Sequence, residues 1–125
     1  MHFSLASFIM YLICVYLVFF HLYAMILEMF FWEKAIGLKV FRQTPESARA
    51  SAVLAKNQGL YNGILAVGLL IALLRSDGFS LMFFFCAITV AGAYGAVTTR
   101  NLRIFLMQGL PALGAGVLLY FVNAP

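Results

Sequence analysis

Residues 8–20 read FIMYLICVYLVFF, a run with no charged side chain, and this run decides the fold class. A transmembrane β-strand is about ten residues long and alternates in polarity, whereas this run does not alternate. In hydrocarbon the remaining spanning structure is the α-helix, which satisfies its own backbone hydrogen bonds. Working outward, the charge-free stretch extends over residues 1–27, and three more follow at 57–74, 79–99 and 104–125. All 12 formal charges fall between them: eight from Glu28 to Lys56, then Arg75 with Asp77, then Arg100 with Arg103. Each stretch is close to the roughly 20 residues that a membrane helix needs.

Composition gives the same answer. The 125 residues are 65% hydrophobic and 10% charged, against about 45–50% and about 25% in soluble domains, and mean hydropathy is +1.02. A water-soluble globule is excluded. Four helices use about 80 residues and leave about 45 for connections, whereas five leave almost nothing. The expected fold is all-α: a polytopic membrane protein whose residues 1–125 form one compact four-helix transmembrane bundle. The expected helices are about 3–32, 45–74, 79–99 and 102–122.

Orientation follows from the positive-inside bias. Lys34, Lys39, Arg42, Arg49, Lys56, Arg100 and Arg103 lie on the side of the 1–2 and 3–4 connections, against Arg75 alone on the other. Both termini are therefore expected away from the cytoplasm, in the cell (inner) membrane. No basic region of a cleavable signal peptide precedes the first run, so that helix is expected to stay as an anchor. The net charge of +4 belongs to topology. A nucleic-acid partner would need a basic stripe, and none is visible, so the expected surrounding partner is the lipid bilayer. Cys14 and Cys86 are too isolated for a disulfide framework or a zinc site. The spacing of His21, Met25 and Met29 raises soft-metal binding, but methionine stripes in apolar helices usually pack. No metal and no cofactor are expected.

Local punctuation places the helix ends. Trp32, beside Phe30 and Phe31, suits an interfacial aromatic belt, and 33–44 reads as a mixed basic linker. Thr44-Pro45-Glu46 is a helix start: an N-cap, a proline at the first position, and an acid at the positive dipole end. Arg75-Ser76-Asp77-Gly78 is a turn. Pro111 should free the carbonyl of Met107 and bend the last helix. Small residues recur four apart in Gly59/Gly63, Ala91/Gly95, Gly92/Ala96 and Ala112/Gly116, which lets backbones approach closely in lipid. The partner on these faces is either another helix of the chain or a second copy in a homo-oligomer.

The polar residues within the spans carry the functional signal. Glu28, Asn57, Gln58, Tyr61, Asn62, Tyr94, Thr98 and Gln108 lie within roughly 10 Å of one membrane face, and His21 lies deeper at roughly 16 Å. His21 and Glu28, seven apart, share a helix face. The four polar residues of the second helix span an arc of about 140° centred near Leu65. Polar groups facing lipid are costly, so the arcs are expected to face inward. They would make a cytoplasm-facing pocket lined by His21, Glu28, Asn57, Gln58, Tyr61, Asn62, Tyr94 and Gln108. Such residues also serve as interhelical glue worth about 0.6 kcal/mol each. His21 and Glu28, about 10 Å apart along the axis, need help to act together but can flank a ligand; they are the candidates for handling protons.

Several blocks resemble a known family: His21-Leu-Tyr23 with Glu28-Met29, Asn57-Gln-Gly-Leu-Tyr-Asn-Gly63, Ala91-Gly-Ala-Tyr-Gly95 and Gln108-Gly-Leu-Pro-Ala112. They are similar to the bacterial membrane proteins catalogued as domain of unknown function 1304, over nearly the whole chain. The resemblance implies a small four-helix integral membrane protein and brings no reaction, substrate or cofactor.

Three functions fit the residues. The first is a pocket that binds, or processes, a small amphipathic or lipid-like ligand, with His21 or Glu28 moving protons. The second is an oligomeric proton-coupled transporter using Glu28, although alternating access favours a midplane site. The third is an assembly subunit with no site of its own. The first accounts best for a polar layer on one side.

Overall fold

The computed structural model describes residues 4–123. Every regular element among them is helical: α1 (Leu5–Phe30), α2 (Ala35–Phe41), α3 (Pro45–Leu74), α4 (Gly78–Thr99), α5 (Leu102–Ile104), a π-helical turn (Phe105–Gly109) and α6 (Leu110–Asn123). Four stretches are long and apolar enough to cross a membrane: Leu5–Phe30, Pro45–Leu74, Gly78–Thr99 and Leu102–Val122. The chain is a small multi-pass membrane protein. The expected start of the first helix at Phe3 lies outside the described residues.

The ends of α3 and α4 follow the local chemistry. The Thr44 hydroxyl accepts the Ser47 amide at 3.2 Å, beginning α3 at Pro45. Ser76 turns the chain with φ 50°. Asp77 then caps α4, its Oδ1 accepting the amides of Phe79 at 3.1 Å and Ser80 at 3.3 Å. The Ser80 hydroxyl donates to Asp77 Oδ2 at 2.6 Å. That hydroxyl first, and then the Ser80 amide, hold the Asp77 carboxyl below its ordinary value.

Two expectations change. The first helix ends at Phe30 rather than Trp32, and the linker 33–44 contains α2. A bend after Phe30 lets Lys34 N–H reach the Phe31 carbonyl at 3.0 Å. Gly37 then packs over that bend: a Cβ there would run into the Phe31 carbonyl and sit 2.7 Å from the Trp32 carbonyl. Without a side chain at 37, α2 folds back onto the end of α1; with one it cannot. Arg42, at φ 53°, closes α2 with its N–H on the Leu38 carbonyl.

The chain packs as two units. The first takes residues up to Val18 and from Gly68 onward. Its buried side chains include Met10, Leu17, Leu69, Leu81, Phe85, Ile88 and Leu119. Gly92 of α4 meets Gly109 so closely that a Cβ would lie 2.9 Å from the Cα and N of Gly109. Pro111 has no N–H to give to Met107, as expected, and the chain answers with a π turn in which Leu110 N–H bonds back to Phe105. A residue inserted into a helical ladder in this way is a common source of bending. The freed Met107 carbonyl accepts the Tyr16 hydroxyl at 2.7 Å.

The second unit is Phe19–Val67. Here Gly59 and Gly63 of α3 approach α1. A Cβ on Gly59 would lie 2.6 Å from Met29 Cγ and 3.1 Å from Glu28 Cβ, and one on Gly63 2.5 Å from Met25 Sδ. The small-residue spacing read from the sequence thus serves a contact within the chain.

Candidate functional site

The approach of α3 at Gly59 and Gly63 places Asn62 against two polar groups of α1. His21 and Glu28 lie two turns apart on that helix, and both are buried, at 2% and 9% exposure. Asn62 Nδ2 donates to Glu28 Oε2 at 2.7 Å. Asn62 Oδ1 faces His21 Nδ1 at 2.8 Å. The two candidates that needed help to act together are joined by one amide.

This bridge fixes the proton on His21. An amide oxygen can only accept, so the hydrogen between Asn62 Oδ1 and His21 must sit on Nδ1. Turning the amide over would set its oxygen against the carboxyl oxygens of Glu28, acceptor against acceptor unless Glu28 carried a proton. In the neutral imidazole Nε2 then carries a lone pair. Among the described residues, Nε2 of His21 is a buried side-chain nitrogen with no hydrogen-bond partner. Leaving such a group unsatisfied costs about 1–3 kcal/mol, and native proteins that tolerate the cost usually have a use for the group. The arrangement presents an oriented hydrogen-bond acceptor, and a base for any hydroxyl or amine brought to it. His, Cys, Asp and Glu form no cluster of three or more fit for a metal among the described residues.

The other sequence candidates stand elsewhere. Asn57 and Gln58 are exposed on α3, and Tyr61 is 66% exposed. The cause is helical phase: the buried stripe of α3 runs through Ala55, Gly59, Gly63 and Ala66. Asn62 borders that stripe, and Asn57 and Tyr61 sit on the far side of the helix. Tyr94, on α4, is 72% exposed. Gln108, in the π turn, is half-buried, its Cγ 3.2 Å from where a Cβ on Gly92 would stand. Within the second unit, hydrogen bonds join His21, Asn62 and Glu28, and leave out Asn57, Gln58 and Tyr61.

Sequence reasoning missed the role of Trp32. Its indole N–H donates to the Ala48 carbonyl and the Ser51 hydroxyl, both at 3.1 Å. Its ring lies 4.6 Å from that of Phe41, and Gln43 Nε2 donates to its carbonyl at 3.5 Å. Trp32 straps the bend to α2 and α3 instead of presenting its N–H to the interface. Beside it opens a cleft of about 340 Å³, whose lining includes Met29, Trp32, Glu33, Lys34, Ala52 and Lys56. In the sequence Trp32 and Phe30 drew notice as interfacial aromatics, Lys34 and Lys56 as topology charges and Met29 in a methionine stripe, and none of them as the lining of a cleft.

Comparison with known proteins supplies a family and no reaction. The profile of a family described as "Protein of unknown function (DUF1304)" matches residues 8–120. The uncharacterised protein YpaA of Lactococcus lactis subsp. lactis (strain IL1403) is 34% identical over 105 residues, covering 79% of this chain and 86% of that protein. No solved structure matches the chain.

Proposed function

We propose, for a chain that belongs to the DUF1304 family, that it binds a small amphipathic or lipid-like molecule from the cytoplasmic side of the inner membrane. The His21–Asn62–Glu28 relay is its polar receptor. The observation that carries this reading is the buried, unpartnered Nε2 of His21. Glu28 orients Asn62, Asn62 holds the proton on Nδ1, and Nε2 accepts a hydrogen from the ligand's hydroxyl or amine. A relay built on two helices holds that acceptor more rigidly than a loop would.

Native mass spectrometry of gently extracted protein tests it. A small molecule should leave with the wild-type protein and be lost from His21→Phe and Asn62→Leu, each checked for helix content. Tyr61→Phe, on an exposed position, should keep it. Identical bound masses in all four proteins would refute the reading.

One geometric feature favours a second reading, proton-coupled transport. His21 and Glu28, two groups that can carry a proton, lie two turns apart on α1, about 10 Å of helix axis, with Asn62 holding both in place, and Glu and His within membrane spans serve in proton relays. Glu28→Gln that transported normally in vesicles would exclude it.

A further inference from the structure

The cleft at the end of α1 belongs to neither reading. We infer that it is a separate site for the phosphodiester headgroup of a membrane amphiphile, with Lys34 and Lys56 as its cationic walls and the acyl chains left outside.

Four observations converge on this. The volume, about 340 Å³, lies within the range of small-molecule sites and suits a headgroup better than a whole lipid. Lys34 from the bend and Lys56 from α3 line the same space, though they are far apart in sequence. Among the described residues, neither ammonium enters an ion pair. Met29 and Ala52 supply an apolar side, and Phe30, at 64% exposure, ends the spanning part of α1 beside it. A cleft with an ionic side and an apolar side, at the end of a span, matches a molecule that is itself divided in that way.

Charge narrows the class. Two lysines and Glu33 line the cleft, leaving one net positive charge. A phosphodiester carries one negative charge and balances it, whereas a phosphate dianion overfills it and is repelled by Glu33. Glu33 also offers an acceptor to the hydroxyls of a glycerol headgroup or the ammonium of an ethanolamine one.

The walls are held before any ligand arrives. The indole N–H of Trp32 is already spent on Ala48 and Ser51, its ring lies against Phe41, and the Lys34 amide is bonded to Phe31. Binding therefore orders little beyond two lysine side chains, which lowers its entropic cost.

The test uses the full chain in detergent, with retention of added phosphatidylglycerol or phosphatidylethanolamine followed by native mass spectrometry. Lys34→Gln and Lys56→Gln should each weaken retention about fivefold, and the double variant about 25-fold. Ala52→Phe, which fills the cleft and leaves the charges, should abolish it. Lys39→Gln, a basic residue of α2 outside the cleft lining, should stay within twofold. His21→Phe should also stay within twofold, which separates failure here from failure of the relay reading. If Lys39→Gln weakens retention as much as Lys56→Gln, the attraction is that of a general basic surface and the inference falls. It falls equally if inorganic phosphate displaces the lipid at matched concentration, since the site then takes soluble phosphate, or if Ala52→Phe binds as the wild type does.

Discussion

The two units use glycine for different ends. In the second, Gly59 and Gly63 bring α3 onto α1 at a level where both helices carry polar groups, and the approach places Asn62 between His21 and Glu28. In the first, Gly92 meets Gly109 backbone to backbone, with buried neighbours such as Phe85, Ile88 and Ala112 that are all apolar. Polar contacts there go to the backbone: Tyr16 donates to the Met107 carbonyl freed by Pro111, and Thr89 reaches the Gly109 carbonyl at 3.4 Å. Small residues at four-residue spacing announce close approach in lipid. What that approach achieves depends on the residues that flank them.

The contrast makes measurable claims. Asn62→Leu should cost the most, about 3 kcal/mol in an unfolding titration, because it strands a carboxyl and an imidazole in a buried site. A loss below about 0.6 kcal/mol would reduce the relay to ordinary interhelical glue. Gly92→Ala should follow at about 2 kcal/mol, since the added methyl meets backbone that has nowhere to move. Gly63→Ala should cost less than about 1 kcal/mol, because the flexible thioether of Met25 can swing aside; equal losses at the two glycines would erase the distinction. Tyr16→Phe should cost about 0.6 kcal/mol and speed amide exchange in the π turn.

The smallest effect lies outside the spans. The Asp77 carboxyl is held below its ordinary value by Ser80 and Phe79, so the folded state favours its charged form. Its contribution is complete above the unfolded aspartate range, about 3.9, and is lost as pH falls through the folded value. Asp77→Asn should flatten the acid side of a melting-temperature profile by lowering the melting temperature slightly at neutral pH and leaving the acid end nearly unchanged; a variant unchanged at neutral pH would contradict it.

The spans, the Thr44–Pro45 start and the Asp77 turn were legible because each rests on local chemistry: charge-free length, a capping hydroxyl, a capping carboxylate. The freed Met107 carbonyl was legible for the same reason, but its donor Tyr16 is 91 residues away in sequence, beyond any local rule. Helix α2 has seven residues, fewer than a hydrophobic period needs to declare itself. Trp32 reads as an interfacial anchor from its position alone; its partner at Ala48 exists only after the chain folds back. The polar arc of α3 averaged Asn57, Gln58, Tyr61 and Asn62 into one direction. The glycine and alanine stripe turns the helix so that Asn62 enters the contact while the other three stay outside. Residue types named the candidates, and tertiary phase divided them.

The most direct test is ¹⁵N NMR of the His21 imidazole in lipid, with His2 replaced so that one ring reports. With Asn62 bridging His21 and Glu28, Nδ1 should carry the proton and Nε2 should show an unprotonated signal, with the preference lost in Asn62→Leu. A proton resident on Nε2, or tautomer populations that Asn62→Leu leaves unchanged, would contradict the relay.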